Sequence, residues 1–209
     1  MPFDRPHPAE ELNPGPEVAA RVAASVIVLR DSDDGPEVLL VQRNPDARFM
    51  GGAWVFPGGA VDEDETVEQT GRRELQEEAA VELPQATPLI PFSRWITPAE
   101  VKIRFDTWFF VVEAPDGAEP AVDGAECVDA RWIRPQTALD ELEEGRLQLV
   151  FPTIKHLEQL ATFPTVAATI AAARSRDVVA VQPRIVVEGE GARVLLPGEP
   201  GFDDDQPRG

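Results

Sequence analysis

The chain has 209 residues, 43% of them hydrophobic and 27% charged, which suffices for one compact domain and excludes a wholly disordered protein. Its formal net charge of -19, with a pI near 4.4, repels phosphate at long range and argues against unspecific binding to nucleic acid polymers or anionic lipid. A phosphate-bearing ligand therefore needs local help from metal ions or arginines.

In chain order, residues 1–19 hold five prolines and no periodicity, and read as a flexible Pro-rich arm, mobile or surface-hugging, before a single domain over residues 20–196. "RVAASVIVLR" and "EVLLVQR" are rich in β-branched residues and flank "DSDDGP", the chemistry of a hairpin turn. "AWVFP" predicts a third strand and "GGAVDEDE" a loop. A helix is expected from about Val67 to Ala80, with Thr66 as N-cap and Gln69 completing a capping box. "IRFDTWFFVVEA" and "CVDARWIRP" have strand composition, and "QTALDELEEG" reads as a short helix closed by glycine. Two further helices, "PTIKHLEQLATF" and "PTVAATIAAARSR", break at Pro164 before strand-like "VVAVQPRIVVEG". Residues 197–209 read as a flexible acidic tail. The order predicts an α+β fold, a mixed β-sheet packed between helices.

Cys127 is the single cysteine, so no internal disulfide is possible and a reducing compartment fits. No basic start with an apolar core follows the initial methionine, and the apolar runs fall well short of the roughly 18 residues that span a bilayer. The expectation is a cytoplasmic protein with no membrane partner. The alanine-rich segment from Val166 to Ala173 packs either on the sheet or on a second subunit, which leaves a homodimer open.

The stretch "RELQEE", Arg73 to Glu78, concentrates charge on the predicted helix. At about 100° per residue, Glu74, Glu77 and Glu78 share an arc of about 100° that borders the apolar stripe of Val67 and Leu75. A solvated acidic face with i,i+4 pairs such as Arg73 and Glu77 would be the ordinary explanation. Three converging carboxylates raise one another's pKa values, however, and a hard divalent cation relieves that. Upstream, "FPGG" at Phe56 to Gly59 brings a strand to a turn whose glycines allow close approach of backbone to metal or phosphate.

Gly59, Glu65, Arg73-Glu74-Leu75, Glu77-Glu78 and Val81 stand at the spacing of the signature of the Nudix hydrolases, which the chain resembles over a box at residues 59–81. Only the late glycine differs, being Ala80 here. That glycine ends the helix, where a positive φ is often needed. The resemblance implies a Nudix fold, an α/β/α sandwich with additional C-terminal helices. It also implies hydrolysis of a diphosphate linked to another moiety with Mg²⁺ or Mn²⁺ as cofactor. By position, Glu74, Glu77, Glu78 and the carbonyl of Gly58 would hold metal. Arg73 would orient a glutamate, and Gly59 and Glu65 would shape the loop. The general base would be Glu126 in "DGAECVDARW", or Glu77 or Glu78, with Glu100 a weaker candidate.

Arg43, Arg48 and Gly52 in "LLVQRNPDARFMGGAWVFPGG" are spaced as in the motif that precedes the box in coenzyme A diphosphatases, departing from it at Val41 and Asn44. "WITPAEVKIRFDTWFF", "PTIKHLEQLATF" and "QPRIVV" are similar to the subfamily containing the peroxisomal coenzyme A diphosphatase. Arg43, Arg48 and Arg104 become candidate phosphate contacts, each with a structural ion pair as the alternative. The implied partner is a small-molecule diphosphate: coenzyme A or an acyl derivative, or else ADP-ribose, NADH or a dinucleoside polyphosphate. A non-catalytic binding or regulatory module is the alternative from another class, and the complete glutamate set argues against it. Isopentenyl diphosphate isomerase shares the fold but needs a catalytic cysteine in its own motif, which Cys127 lacks. The four tryptophans are expected in core or pocket wall, and His156 on the surface.

Overall fold

Strand β1 (Arg21–Ser32) is apolar at almost every position from Val22 to Leu29, as a strand covered on both faces must be. The computed structural model, which describes residues 12–47, 49–188 and 191–203, places it centrally. On one edge it runs parallel to β6 (Phe105–Glu113). On the other it meets β2 (Gly35–Arg43) only through residues 29–32, and its first half pairs instead with β4 (Gly58–Ala60). The end of β2 in turn pairs with β3 (Trp54–Val55), and its far edge carries β7 (Cys127–Ile133). The β1–β2 hairpin therefore splays, and the segment Trp54 to Ala60 fills the opening. β5 (Ile90–Ile96) and the short β8 (Ala180–Val181) extend the sheet past β6, giving the order β3-β2-β1-β6-β5-β8. With β1–β6 and β5–β8 parallel and the rest antiparallel, the sheet is mixed.

Helix α1 (Val67–Ala79) covers one face, where Leu75 and Ala79 pack on Ala24, Val26 and Val28. The alternate residues Ile27 and Leu29 point to the other face, under α2 (Pro135–Glu143), α3 (Phe151–Leu160) and α4 (Val166–Arg174). This is an α/β/α sandwich. A ribbon of β9 (Arg184–Glu188) and β10 (Gly191–Leu195) closes the C-terminal side.

Two sequence expectations need correction. Gly58–Ala60, expected as loop, is a strand, because the splayed edge of β1 offers it free backbone partners. The described ends of the chain lie against the domain. Leu12 bridges Val101, the Asn13 N–H donates to the Glu100 carbonyl at 2.7 Å, and Phe202 lies against Arg184. Residues 1–11 and 204–209 lie outside the described residues. His156 is not on the surface: it is 2% exposed, ringed by Phe56, Phe92, Trp95 and Phe109, with Nε2 2.6 Å from the Ser93 hydroxyl.

Candidate active site

Helix α1 begins as the sequence predicts. The Thr66 hydroxyl accepts from the Gln69 N–H at 3.2 Å, and the Gln69 side chain accepts from the Thr66 N–H at 2.8 Å. The helix ends at Ala80 with φ 52°, so alanine occupies the left-handed conformation that usually favours glycine. Anchored at both ends, α1 presents Glu74 and Glu78 to the first residues of β4.

Arg73 organises the outer half of that site. Its Nε and Nη2 donate to the two carboxylate oxygens of Glu65 at 2.9 and 3.0 Å, and its Nη1 donates to Glu74 at 2.7 Å and Glu77 at 2.9 Å. Thr70 also donates to Glu65 at 2.8 Å. Together the hydrogen bonds from Arg73 and Thr70 lower the Glu65 pKa to about 2.

Glu78 occupies the inner half, 2% exposed, with Oε2 accepting from the Gly58 N–H at 2.8 Å. Burial pushes its pKa up to about 7 against the lowering effect of that hydrogen bond, and the nearby charges of Glu74 and Glu126 add to the rise. Its Oε1 is buried without a hydrogen-bond partner among the described residues. Glu74 is likewise shifted upward by burial, with Glu77 and Glu126 adding to it. The glycines admit this crowding. A Cβ on Gly59 would stand 2.2 Å from Glu74 Oε1, and one on Gly58 would stand 2.4 Å from the Ala24 carbonyl oxygen.

Two elements outside the box converge on Glu78. Arg43, at the end of β2, has Nη1 3.8 Å from Glu78 Oε1 and Nη2 3.6 Å from Glu126 Oε1. Asn44 fastens the Glu126 loop: its N–H donates to the Glu126 carbonyl at 2.9 Å and its amide to the Ala125 carbonyl at 2.8 Å. The residue that departs from the coenzyme A motif thus has a structural use here. Cys127 lies buried beside Glu78, its thiol pushed up to about 12 by burial, and acts as packing.

A cavity of about 170 Å³ opens beside the box. Gly58, Gly59, Ser25 and Arg43 form its polar end, and Phe49, Phe105 and Phe109 its apolar walls. The aromatic walls carried no signal in the sequence beyond strand composition, because only the fold brings Phe49 to 5.7 Å from Phe105. Met50, with φ 53°, lines both this cavity and a smaller apolar one that continues toward Ile185 and Val194.

Not every candidate gathers here. Arg104 is 5% exposed and committed elsewhere: its Nη1 donates to Glu17 and to the Val18 carbonyl, both at 2.5 Å, and its Nε to the Thr97 carbonyl at 3.1 Å. It forms a structural ion pair that ties down the N-terminal segment, and it does not line the cavity beside the box. Glu100 faces the C-terminal ribbon, accepting from the Ile185 N–H at 3.3 Å. Arg48 lies outside the described residues.

The donor chemistry suits a hard divalent cation, since carboxylate and carbonyl oxygens dominate and Glu78 Oε1 lacks a partner. In this arrangement the ligand sphere is not assembled. Glu74 and Glu77 are turned onto Arg73, and among the described residues no three acidic, histidine or cysteine side chains gather closely enough to hold a metal.

Residues 19–151 match the profile of the NUDIX domain. The chain is 29% identical over 182 residues to a protein named putative nudix hydrolase 7 from Caenorhabditis elegans, covering 68% of this chain and 60% of that one. The chain thus spans about three fifths of that relative's length. A NUDIX hydrolase structure from Alicyclobacillus acidocaldarius superposes with a TM-score of 0.67 at 26% identity, covering 74% of this chain and 96% of the other. The NUDIX domain of Shewanella oneidensis NrtR, in complex with ADP ribose, does so at 0.53 and 25%, covering 68% and 86%.

Proposed function

Because this chain belongs to the NUDIX family, we propose that it hydrolyses the diphosphate bond of a nucleoside diphosphate linked to a second moiety, with coenzyme A or an acyl-coenzyme A as the leading substrate. The observation that carries the reaction class is Glu78, buried with an unpartnered oxygen against Gly58 and flanked by Glu74 and Glu126.

Glu74, Glu77, Glu78 and the Gly58 carbonyl would hold Mg²⁺ or Mn²⁺, which when bound neutralises the diphosphate and lowers the pKa of water. Arg73 keeps Glu74 and Glu77 in place through Nη1 and is itself held by Glu65. Water adds to one phosphorus, the bridging P–O bond breaks, and the proton that water sheds passes to a carboxylate. Glu126, mostly exposed at the open edge of the site, is the proposed acceptor, with Glu77 or Glu78 as alternatives. From coenzyme A the products are 3′,5′-ADP and 4′-phosphopantetheine. The apolar walls of the cavity, and its continuation past Met50, favour a substrate whose diphosphate carries an uncharged or apolar arm, as pantetheine or an acyl thioester does.

ADP-ribose is the second reading, supported by the NrtR domain that binds it at 25% identity. A screen with Mg²⁺ or Mn²⁺ at mildly alkaline pH, offering coenzyme A, acetyl-CoA, ADP-ribose, NADH and dinucleoside polyphosphates, separates the two. Preferred turnover of the coenzyme A compounds supports the leading substrate. Preferred turnover of ADP-ribose or dinucleotides discards it and keeps the chemistry. Tight ligand binding with no turnover of any compound would replace the enzyme with a binding module.

A further inference from the structure

The two arginines of the site are held very differently. Arg73 spends four hydrogen bonds of 2.7 to 3.0 Å on Glu65, Glu74 and Glu77 and is locked. Arg43 faces Glu78 and Glu126 at 3.8 and 3.6 Å, beyond hydrogen-bond distance, and its buried Nε has no hydrogen-bond partner among the described residues. The Glu78 oxygen it faces has none either. Arg43 is also the only charged side chain among the described residues that line the cavity, so it stands where a diphosphate entering from the apolar side first meets positive charge.

We propose that Arg43 is an internal counter-ion that stands in for the metal: its guanidinium balances Glu78 and Glu126 in the metal-free protein, and a divalent cation taking Glu78 releases it to clamp the substrate diphosphate. The inference rests on the metal-dependent reading above. Its physical basis is competition. Two cations cannot both draw full benefit from the one buried carboxylate of Glu78, and a guanidinium freed from it regains its capacity for bidentate phosphate contact. Metal and substrate binding become coupled through one side chain, each favouring the other by the same factor. The loose contacts are what make the exchange cheap, because few good hydrogen bonds are broken when Arg43 leaves.

The competition has a sign that ordinary structural damage would not produce. Removing the guanidinium as Arg43→Gln should tighten Mn²⁺ binding to the substrate-free protein at least threefold, measured by isothermal titration or by the electron paramagnetic resonance signal of free Mn²⁺. The same variant, saturated with Mn²⁺, should bind the non-hydrolysable α,β-methylene-ADP at least tenfold more weakly. Arg43→Lys, which retains charge without the fork, should fall between wild type and Arg43→Gln in both measurements. Thermal melts of each variant with and without Mn²⁺ establish folding, and the rise in Tm on adding Mn²⁺ should be larger in Arg43→Gln than in wild type. A folded Arg43→Gln protein with unchanged or weaker Mn²⁺ affinity overturns the exchange. Should Arg43→Gln not fold, the Arg43→Lys titrations decide by the same criterion. Failure of the wild type itself to bind Mn²⁺ would instead remove the metal-dependent reading.

Discussion

At the residue scale, the two box glycines make different demands. A methyl group on Gly59 meets the Glu74 carboxylate, the movable end of a side chain, whereas one on Gly58 meets backbone at Ala24 and Ser25. Gly59→Ala should therefore displace Glu74 and lower activity by at least tenfold with a small loss of stability, and Gly58→Ala should destabilise by about 2 kcal/mol or more. Paired denaturant melts and rates check the contrast; equal stability losses would count against it. His156 has a pH signature. Burial holds its pKa at about 3, below the usual 6.5, so the unfolded chain takes up a proton first and stability falls as pH drops from 6.5 toward 3. Glu78, raised to about 7, has the opposite sign between 7 and 4.5, which is why the test is a comparison. Between pH 6.5 and 4.5, metal-free wild type should lose on the order of 2 kcal/mol more stability than His156→Leu, measured by urea unfolding. Parallel curves would refute the assignment. The glutamates of the box were legible because their helical spacing is a local property. The burial of His156 and the commitment of Arg104 to Glu17 were not, since both depend on partners 47 to 100 and 87 residues away in sequence.

At the element scale, α1 is the piece of scaffold on which the proposed chemistry depends. Its capping box and its length follow from Thr66, Gln69 and the apolar face, and the helix stands where the sequence placed it. Its C-terminal end carries strain, because Ala80 sits at φ 52° and its N–H still caps onto the Gln76 carbonyl. Ala80→Gly should raise stability by about 0.5–1 kcal/mol without altering the metal requirement, as read from thermal melts. A lower Tm would mean that the methyl group contributes packing worth more than the strain. Strand β4 was hidden from sequence reading for a physical reason: "GGA" has no strand propensity and pairs only because β1 and β2 splay. β5, with proline and serine among its residues, is held as a strand by β6 on one side and β8 on the other.

At the scale of the whole molecule, a chain of net charge -19 gathers its carboxylates where a cation would repay the crowding and leaves one loosely held arginine at the mouth of an apolar cavity. Among the described residues no helix is long and apolar enough to cross a membrane. The family was legible in the sequence because the box is a contiguous motif. The cavity that bears on the substrate was not, because Phe49 stands 56 residues before Phe105 and shares no pattern with it or with Phe109. Metal-dependent cleavage of a diphosphate at Glu78 and its neighbours is best tested by following coenzyme A and ADP-ribose by phosphorus NMR with wild type and Glu78→Gln, each with Mg²⁺ and with chelator. The amide oxygen that Glu78→Gln introduces can still accept from the Gly58 N–H, so the fold should persist. New phosphomonoester signals are expected only with wild type and Mg²⁺, and the rate in the variant should be at least a thousandfold lower. Cleavage that survives chelation, or a folded Glu78→Gln protein with wild-type rate, would overturn the assignment of the site.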